Sequence, residues 1–151
     1  MAIAADPGHA VAHYNLGILL KNERRDIDGA EAAYRAAIAA DPGHAVAHYN
    51  LGILLSNERG DVNGAEAAYR AAIAADSGYA NAHTNLGILL EERAETILQE
   101  GDSTLGLAAA LALYEECAQL WGFSRGAEHE WTQGARAEAA RLRAAPDSEP
   151  S

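Results

Sequence analysis

Apolar and polar positions along this chain alternate with the period of an amphipathic helix, and one such helix is written three times. The segment HAVAHYNLGILL occupies residues 9–20 and 44–55, and a diverged copy, YANAHTNLGILL, follows at 79–90, so the step from copy to copy is 35 residues. In the second copy the core-facing positions recur at spacings of three, one and three. These positions are His48, Leu51, Gly52 and Leu55. The pattern therefore predicts a helix in each copy.

A second helical block follows each of the first two copies. GAEAAYRAAIAAD stands at residues 29–41 and again at 64–76. Its apolar face in the second unit consists of Ala65, Ala68, Tyr69, Ala72 and Ile73. Between the blocks, Gly60 can end one helix and Asp61 can cap the next, and Pro42 stops the second block. One such helix pair cannot bury its apolar face alone, whereas stacked pairs bury a continuous core.

The first unit has a less favourable residue in its inter-helix turn. Arg25 stands where the second unit has Gly60. A helix end that needs a left-handed residue disfavours arginine by about 1 kcal/mol. We therefore expect this turn to be a weak point of the fold.

These units resemble tetratricopeptide repeats, which carry Trp, Leu, Gly and Tyr along the first helix, then Ala, Phe or Tyr, and Ala along the second, then Pro. The matching residues of the first unit are His13, Leu16, Gly17, Leu20, Ala30, Tyr34, Ala37 and Pro42, and those of the second are His48, Leu51, Gly52, Leu55, Ala65, Tyr69 and Ala72. Histidine replaces the usual tryptophan, and one extra residue lengthens the usual unit of about 34. The resemblance implies an all-α solenoid of stacked antiparallel helix pairs, forming a right-handed superhelix with a C-terminal capping helix.

The resemblance also divides the chain into six segments. They are the truncated end of a preceding repeat, two regular repeats, an enlarged and divergent third repeat, a capping helix and a disordered tail. In that order they comprise residues 1–9, 10–44, 45–79, 80–121, 126–145 and 146–151. We expect a break at residues 122–124, and an apolar seam of Trp131, Ala135, Ala139 and Leu142 in the capping helix. The start in mid-unit favours either a piece of a longer solenoid or an open N-terminal face.

In this family the first helices line a concave groove, which implies a peptide or partner protein as ligand. The groove positions are Val11, Tyr14, Asn15 and Ile18, then Val46, Tyr49, Asn50 and Ile53, then Asn81, Thr84, Asn85 and Ile88. Tyrosine and isoleucine are unusual on a merely solvated face, and asparagine amides pair with both donors and acceptors of an extended backbone. The row of asparagines resembles the groove of the O-GlcNAc transferase repeat region. Alternatively, these residues are family consensus, partly covered by packing.

The groove lacks the positive charge that some relatives use. Tetratricopeptide domains that hold the C-terminal carboxylate of chaperones place Lys and Arg at groove positions. The corresponding residues here are Tyr14, Ile18, Asn50, Asn81 and Asn85, none of which is cationic. We therefore do not expect this chain to clamp a carboxylate in that way.

Composition removes several further classes of function. The net charge of −11 disfavours a phosphate backbone, so nucleic acid is not an expected partner. The sequence has no signal peptide and no apolar run of the ~20 residues that span a bilayer, which favours a cytoplasmic location without a membrane partner. Cys117 is the single cysteine and cannot form an internal disulfide. We expect it on the core face, at the position of Ala72 in the second unit.

The histidines are the remaining candidates for chemistry. His9 and His13, like His44 and His48, stand four residues apart, a spacing that can chelate a metal. Tyr79 interrupts the pattern in the third copy, and no cysteine or carboxylate completes either pair. We interpret them as packing or capping residues, and we expect no metal, no cofactor and no catalytic residues.

A non-catalytic protein-interaction module is accordingly the predicted function. One alternative is self-assembly through the open N-terminal face or by helix exchange, which would make the chain a homo-oligomer. Another is the regulatory arm of an enzyme whose catalytic domain lies outside this chain.

Overall fold

The computed structural model describes residues 7–101 and 103–145, and all regular structure in these ranges is helical. The helices are α1 (Pro7–Asn22), α2 (Ile27–Ala40), α3 (Ala45–Arg59), α4 (Val62–Ala75), α5 (Ala80–Glu100), α6 (Thr104–Arg125) and α7 (Glu130–Ala144). The predicted all-α class is confirmed. The chain divides into two compact structural units after Ala82. From here on, the first unit means the part up to Ala82, which contains α1 to α4, and the second unit means the part after it, which contains α6, α7 and most of α5; the 35-residue sequence units are called repeats. The expected tail at 146–151 and most of the expected end of a preceding repeat, residues 1–6, lie outside the described residues.

The two helical hairpins of the first unit have the same turn between their helices. The carboxylates of Asp26 and Asp61 each accept a hydrogen bond, at 2.9 Å, from the backbone N–H three residues further on and so cap α2 and α4. The residue before each cap is left-handed, with φ of 51° at Arg25 and 62° at Gly60. The cap expected at Asp61 and the left-handed residue expected at the turn are confirmed, and Asp26 caps α2 in the same way.

A close approach of glycine to tyrosine holds each hairpin of the first unit together. A Cβ atom at Gly17 would lie 2.6 Å from Cε1 of Tyr34, and one at Gly52 would lie 2.6 Å from Cε1 of Tyr69. Both tyrosines are buried. Because any larger residue would collide with the ring, the helices can pack at this distance only through glycine.

The histidines of the second repeat hold backbone groups, as the capping interpretation expected. His44 caps α3, since its Nδ1 accepts a hydrogen bond of 3.2 Å from the Ala47 N–H. His48 bonds the Pro42 carbonyl through Nε2 at 2.8 Å. The expectation that His48 and His13 are buried in the tryptophan position is wrong, because both are half-buried. An imidazole fills less space than an indole, and a cleft of about 440 Å³ lies beside His48.

The second unit has longer helices, and its packing register differs from the one we expected. Trp121, two turns beyond Tyr114, takes the place of the tyrosine and presses its indole against Gly87. Its Nε1–H donates to the Thr84 carbonyl at 3.2 Å. The expectation that Cys117 is equivalent to Ala72 is therefore wrong, because the added turns of α5 and α6 move the crossing point along α6. Cys117 is nevertheless fully buried, and its thiol donates to the Gly87 carbonyl at 3.2 Å.

The end of α6 and the seam of α7 also differ from the sequence expectation. The break expected at residues 122–124 is absent from this described stretch, since α6 continues to Arg125 and ends at Gly126, whose φ is 97°. Trp131 is 36% exposed, and Thr132 takes its place in the buried seam beside Ala135. The reason is polar: the Thr132 hydroxyl donates to the Gly126 carbonyl at 3.0 Å, while the Trp131 ring lies under the Arg125 guanidinium, 4.3 Å from its centroid.

Candidate functional site

Two helices of the first unit present the same row of side chains. We call this surface the α1/α3 face; it consists of Val11, Tyr14, Asn15 and Ile18 on α1 with Val46, Tyr49, Asn50 and Ile53 on α3. The two valines and Asn15 are exposed, and the other five residues are half-buried. Asn81, at the start of α5, is exposed as well. Every predicted groove residue of the first unit is thus accessible to a ligand.

A side-chain hydrogen bond joins the α1 and α3 halves of this face. The Asn50 Nδ2 atom donates to the Tyr14 hydroxyl at 3.3 Å and to the Val46 carbonyl at 2.9 Å. These bonds use both N–H groups of the amide, so the group that Asn50 can offer a ligand is its carbonyl oxygen. The row is therefore one surface, built by neighbouring helices.

An aromatic layer supports the face from within the unit. The Tyr14 ring centroid lies 6.1 Å from that of Tyr34 and 5.2 Å from that of His44. One repeat later, the Tyr49 ring centroid lies 6.0 Å from that of Tyr69 and 5.1 Å from that of Tyr79. Such ring pairs contribute stabilisation in addition to that of the apolar area they bury, and they hold the rings in a fixed arrangement.

The supporting rings were not among the predicted groove residues, and Tyr79 was predicted only as a substitution that interrupts a histidine pair. The signal was present in the numbering, because His44 follows Tyr14 by the same 30 residues by which Tyr79 follows Tyr49.

The α1/α3 face carries no charged residue, and the phenols beneath it stay neutral. Burial raises the pKa of Tyr34, and the nearby Tyr14 raises it further. Burial likewise raises the pKa of Tyr79, with smaller contributions from Tyr49 and others. At neutral pH these tyrosines are hydrogen-bonding groups without charge, so contacts made by the face are apolar and dipolar.

The three groove residues predicted in the second unit behave differently from one another. Asn85 and Ile88 are half-buried, whereas Thr84 is only 9% exposed. The Thr84 hydroxyl donates to Ser124 Oγ at 3.1 Å, since α6 lies over this part of α5. Thr84 is therefore the least accessible of the predicted groove residues.

Across residues 7–101 and 103–145, no three His, Cys, Asp or Glu side chains converge in a way that could hold a metal ion. None of the helices described above is long and apolar enough to cross a membrane. Burial raises the pKa of the Cys117 thiol to about 12, so this cysteine is a packed thiol and not a nucleophile at neutral pH.

Comparison with protein families identifies the repeat. A family model described as tetratricopeptide repeat matches residues 33–67, which comprise most of α2, all of α3 and the start of α4. No curated protein sequence matches the chain. The resemblance predicted from the sequence is thus confirmed at this repeat.

Solved structures extend the likeness over nearly the whole chain. The first TPR domain of Spaghetti (RPAP3), bound to the HSP90 peptide SRMEEVD, is 21% identical with a TM-score of 0.60, covering 94% of this chain and 99% of that one. The TPR2B domain of yeast Sti1, in a complex with Hsp70, is 15% identical with a TM-score of 0.56, covering 90% and 97%. The second TPR domain of human RPAP3, in complex with the HSP70 peptide SGPTIEEVD, is 19% identical with a TM-score of 0.55, covering 91% and 98%. The chain therefore has the fold of a tetratricopeptide domain.

Proposed function

We propose that this chain is a non-catalytic protein-interaction module whose α1/α3 face binds an extended segment of a partner protein. One observation carries the proposal. The first helices of two successive repeats, α1 and α3, present the same apolar and amide side chains in register, and the Asn50–Tyr14 hydrogen bond joins them into one surface. An extended peptide repeats its backbone hydrogen-bonding groups at a regular spacing, so it suits a surface whose side chains also repeat.

The face offers two kinds of contact. Val11 and Val46 are exposed and supply apolar contact on each helix. The Asn15 amide and the Asn50 carbonyl oxygen can pair with backbone groups of the peptide. Because backbone groups are common to all sequences, recognition through them tolerates variation in the ligand.

The chemistry of the face favours an uncharged or basic ligand segment. Two of the solved structures named above, the TPR domains of RPAP3, bind peptides that end in an acidic residue, SRMEEVD and SGPTIEEVD. The α1/α3 face has no cation to pair with such a terminus, and the chain carries a net charge of −11. The field of the protein therefore repels acidic peptides and attracts basic ones.

Selection from a library of displayed heptapeptides would test the proposal. We expect the selected peptides to be uncharged or basic and to bind in solution, whereas SRMEEVD should show no binding by fluorescence anisotropy. Asn15→Ala and Val46→Ser should each weaken the selected peptides about 2- to 10-fold, the net worth of one hydrogen bond or small apolar contact. Asn63→Ala, an exposed asparagine on α4, is the matched control and should bind like the native chain.

Two results would contradict the proposal. One is a selection dominated by acidic C-termini. The other is a set of selected peptides that bind Asn15→Ala and Val46→Ser as tightly as the native chain while the circular dichroism spectra of both variants stay native.

A further inference from the structure

A second surface of α1 carries an apolar stripe that is separate from the α1/α3 face. Ala12, Leu16 and Leu19 form it, and we call it the α1 stripe. Leu16 is 46% exposed and Leu19 47% exposed, and Ala12 is exposed too. At 3.6 residues per turn, the α1 stripe lies roughly a third of a turn from the groove row of the same helix. The two surfaces therefore face different directions.

The chain itself contains the covered form of this stripe. Residues 9–20 and 44–55 are identical in sequence, and the equivalents of the stripe on α3 are Ala47, Leu51 and Leu54. These three are 0%, 5% and 0% exposed, and α2 packs against α3. Since the sequence is the same, the difference in burial comes from the neighbouring helix alone. The α1 stripe is a helix-packing surface that no described helix covers.

We propose that a second copy of this chain covers the α1 stripe, with α1 docked on α1 about a twofold axis. The spacings of four and three between the stripe residues are those of a coiled-coil seam, in which one stripe packs on another. A twofold axis brings the same surface of both copies together and closes the assembly at two. The proposal does not rest on peptide binding, because the α1/α3 face contributes no residue to it.

Charge favours this pairing over contact elsewhere on the molecule. No Asp, Glu, Lys or Arg occurs between residues 7 and 20, although the whole chain carries a net charge of −11. Two acidic copies therefore repel each other least where α1 meets α1. The α2 helix of a second copy is an unsuitable occupant, because it packs between α1 and α3 of its own unit.

The size of the stripe sets the strength of the contact. A helix of 16 residues is about 24 Å long, and one helix pair buries less than the ~800 Å² per partner of a standard stable interface. We therefore expect a reversible dimer whose population depends on concentration.

Sedimentation equilibrium of the full chain from about 10 µM to about 1 mM would measure the association over the affinity range of weak complexes. We expect a rise from monomer to dimer mass. Leu16→Glu combined with Leu19→Glu should remain monomeric throughout, because it places like charges in the seam. Leu105→Glu, at an 85% exposed leucine of the second unit, should dimerise like the native chain. A native chain that stays monomeric at the highest concentration overturns the proposal, as does a double variant that dimerises normally.

Disulfide trapping tests the geometry even if the double variant fails to fold. Cys117 is fully buried, so a cysteine introduced at position 16 is the accessible thiol. Leu16→Cys should form an interchain disulfide under mild oxidation with diamide, whereas Asn63→Cys, on an exposed position of α4, should not. Equal cross-linking of both variants, or none at position 16, would show that the copies do not meet at the stripe and would favour helix exchange instead.

A third variant covers the stripe within the chain. The sequence of residues 26–36, placed ahead of residue 2 in the register of the repeat, supplies a helix like the one that covers α3. This extended chain should be monomeric. If it still dimerises with the native affinity, the contact lies elsewhere and the proposal is wrong.

Discussion

Replacing Arg25 with glycine should stabilise the first unit, and the structure lets the size of the effect be worked out. Arg25 is the one non-glycine residue with positive φ in the described ranges, at 51°, and Gly60 has nearly the same value, 62°, at the same point of the next repeat. The following residue makes the same hydrogen bond in both turns, from Asp26 N to the Leu20 carbonyl and from Asp61 N to the Leu55 carbonyl, each 2.9 Å. The two turns share this hydrogen bond and the left-handed residue, although α1 ends at Asn22 and α3 continues two residues further in the repeat, to Arg59.

Three contributions decide the net effect. A β-carbon in the left-handed region costs about 1–2 kcal/mol, which glycine removes. Glycine in turn gives the unfolded chain more freedom, at about 0.4–1 kcal/mol. The Arg25 side chain is exposed, so its screened charge interactions contribute little. The net gain is about 0.5–1 kcal/mol, which corresponds to a rise in Tm of a few degrees for a chain of this size.

Urea unfolding followed by circular dichroism would measure the change, with two variants as controls. Gly60→Arg should lower stability by about 1 kcal/mol, because it introduces the same strain in the second turn. Arg25→Ala should give no gain, since alanine keeps the β-carbon. A loss of stability in Arg25→Gly, or a neutral Gly60→Arg, would refute the reasoning that the left-handed conformation limits this turn.

Three further predictions concern the packing of the units. Gly52→Ala should lower the free energy of unfolding by about 1–3 kcal/mol, because its Cβ atom would meet Tyr69 at 2.6 Å. In thermal denaturation, a variant that combines Gly52→Ala with Tyr69→Leu should lose less stability than the sum of the two single variants. Cys117 should react with a thiol reagent at pH 8 only as fast as the second unit opens, since its pKa of about 12 leaves almost no thiolate; added urea should raise the rate steeply. Asn50→Ala should cost about 1 kcal/mol of stability, through the bonds to Tyr14 and Val46, whereas Asn15→Ala should melt like the native chain.

Each of these three has a control and a contradicting result. Gly134→Ala, where a new Cβ would meet nothing within 4 Å, should be neutral or slightly stabilising. If Gly134→Ala loses as much stability as Gly52→Ala, the loss at Gly52 does not come from the collision with Tyr69. Denatured protein gives the full rate of the accessible thiol, and a native rate close to it would show that Cys117 is exposed. Equal melting of Asn50→Ala and Asn15→Ala would show that the bond between the helices adds no stability.

Local features of this protein could be predicted from the sequence alone. The helical period, the aspartate cap at Asp61 and the left-handed position of Arg25 are all present in the structure as expected. Each depends on residues within a few positions of one another, and the near-perfect repeat states each of them twice. The repeat also identified the fold, because one helix pair that recurs has few ways to bury its apolar face.

Burial, in contrast, was decided by the tertiary structure. Trp121 meets Gly87 and so shifts Cys117 out of the position expected for it, Thr132 displaces Trp131 from the seam of α7, and Thr84 is buried beneath α6. The positions of Trp121 and Thr84 depend on how far two helices extend before they cross, which no short stretch of sequence specifies. Thr132 takes its place through a hydrogen bond to the carbonyl of Gly126, a residue outside its own helix. The repeat shows the reason most directly: HAVAHYNLGILL is covered on α3 and exposed on α1, because the solvent exposure of a side chain depends on the helix that packs beside it and not on its own sequence.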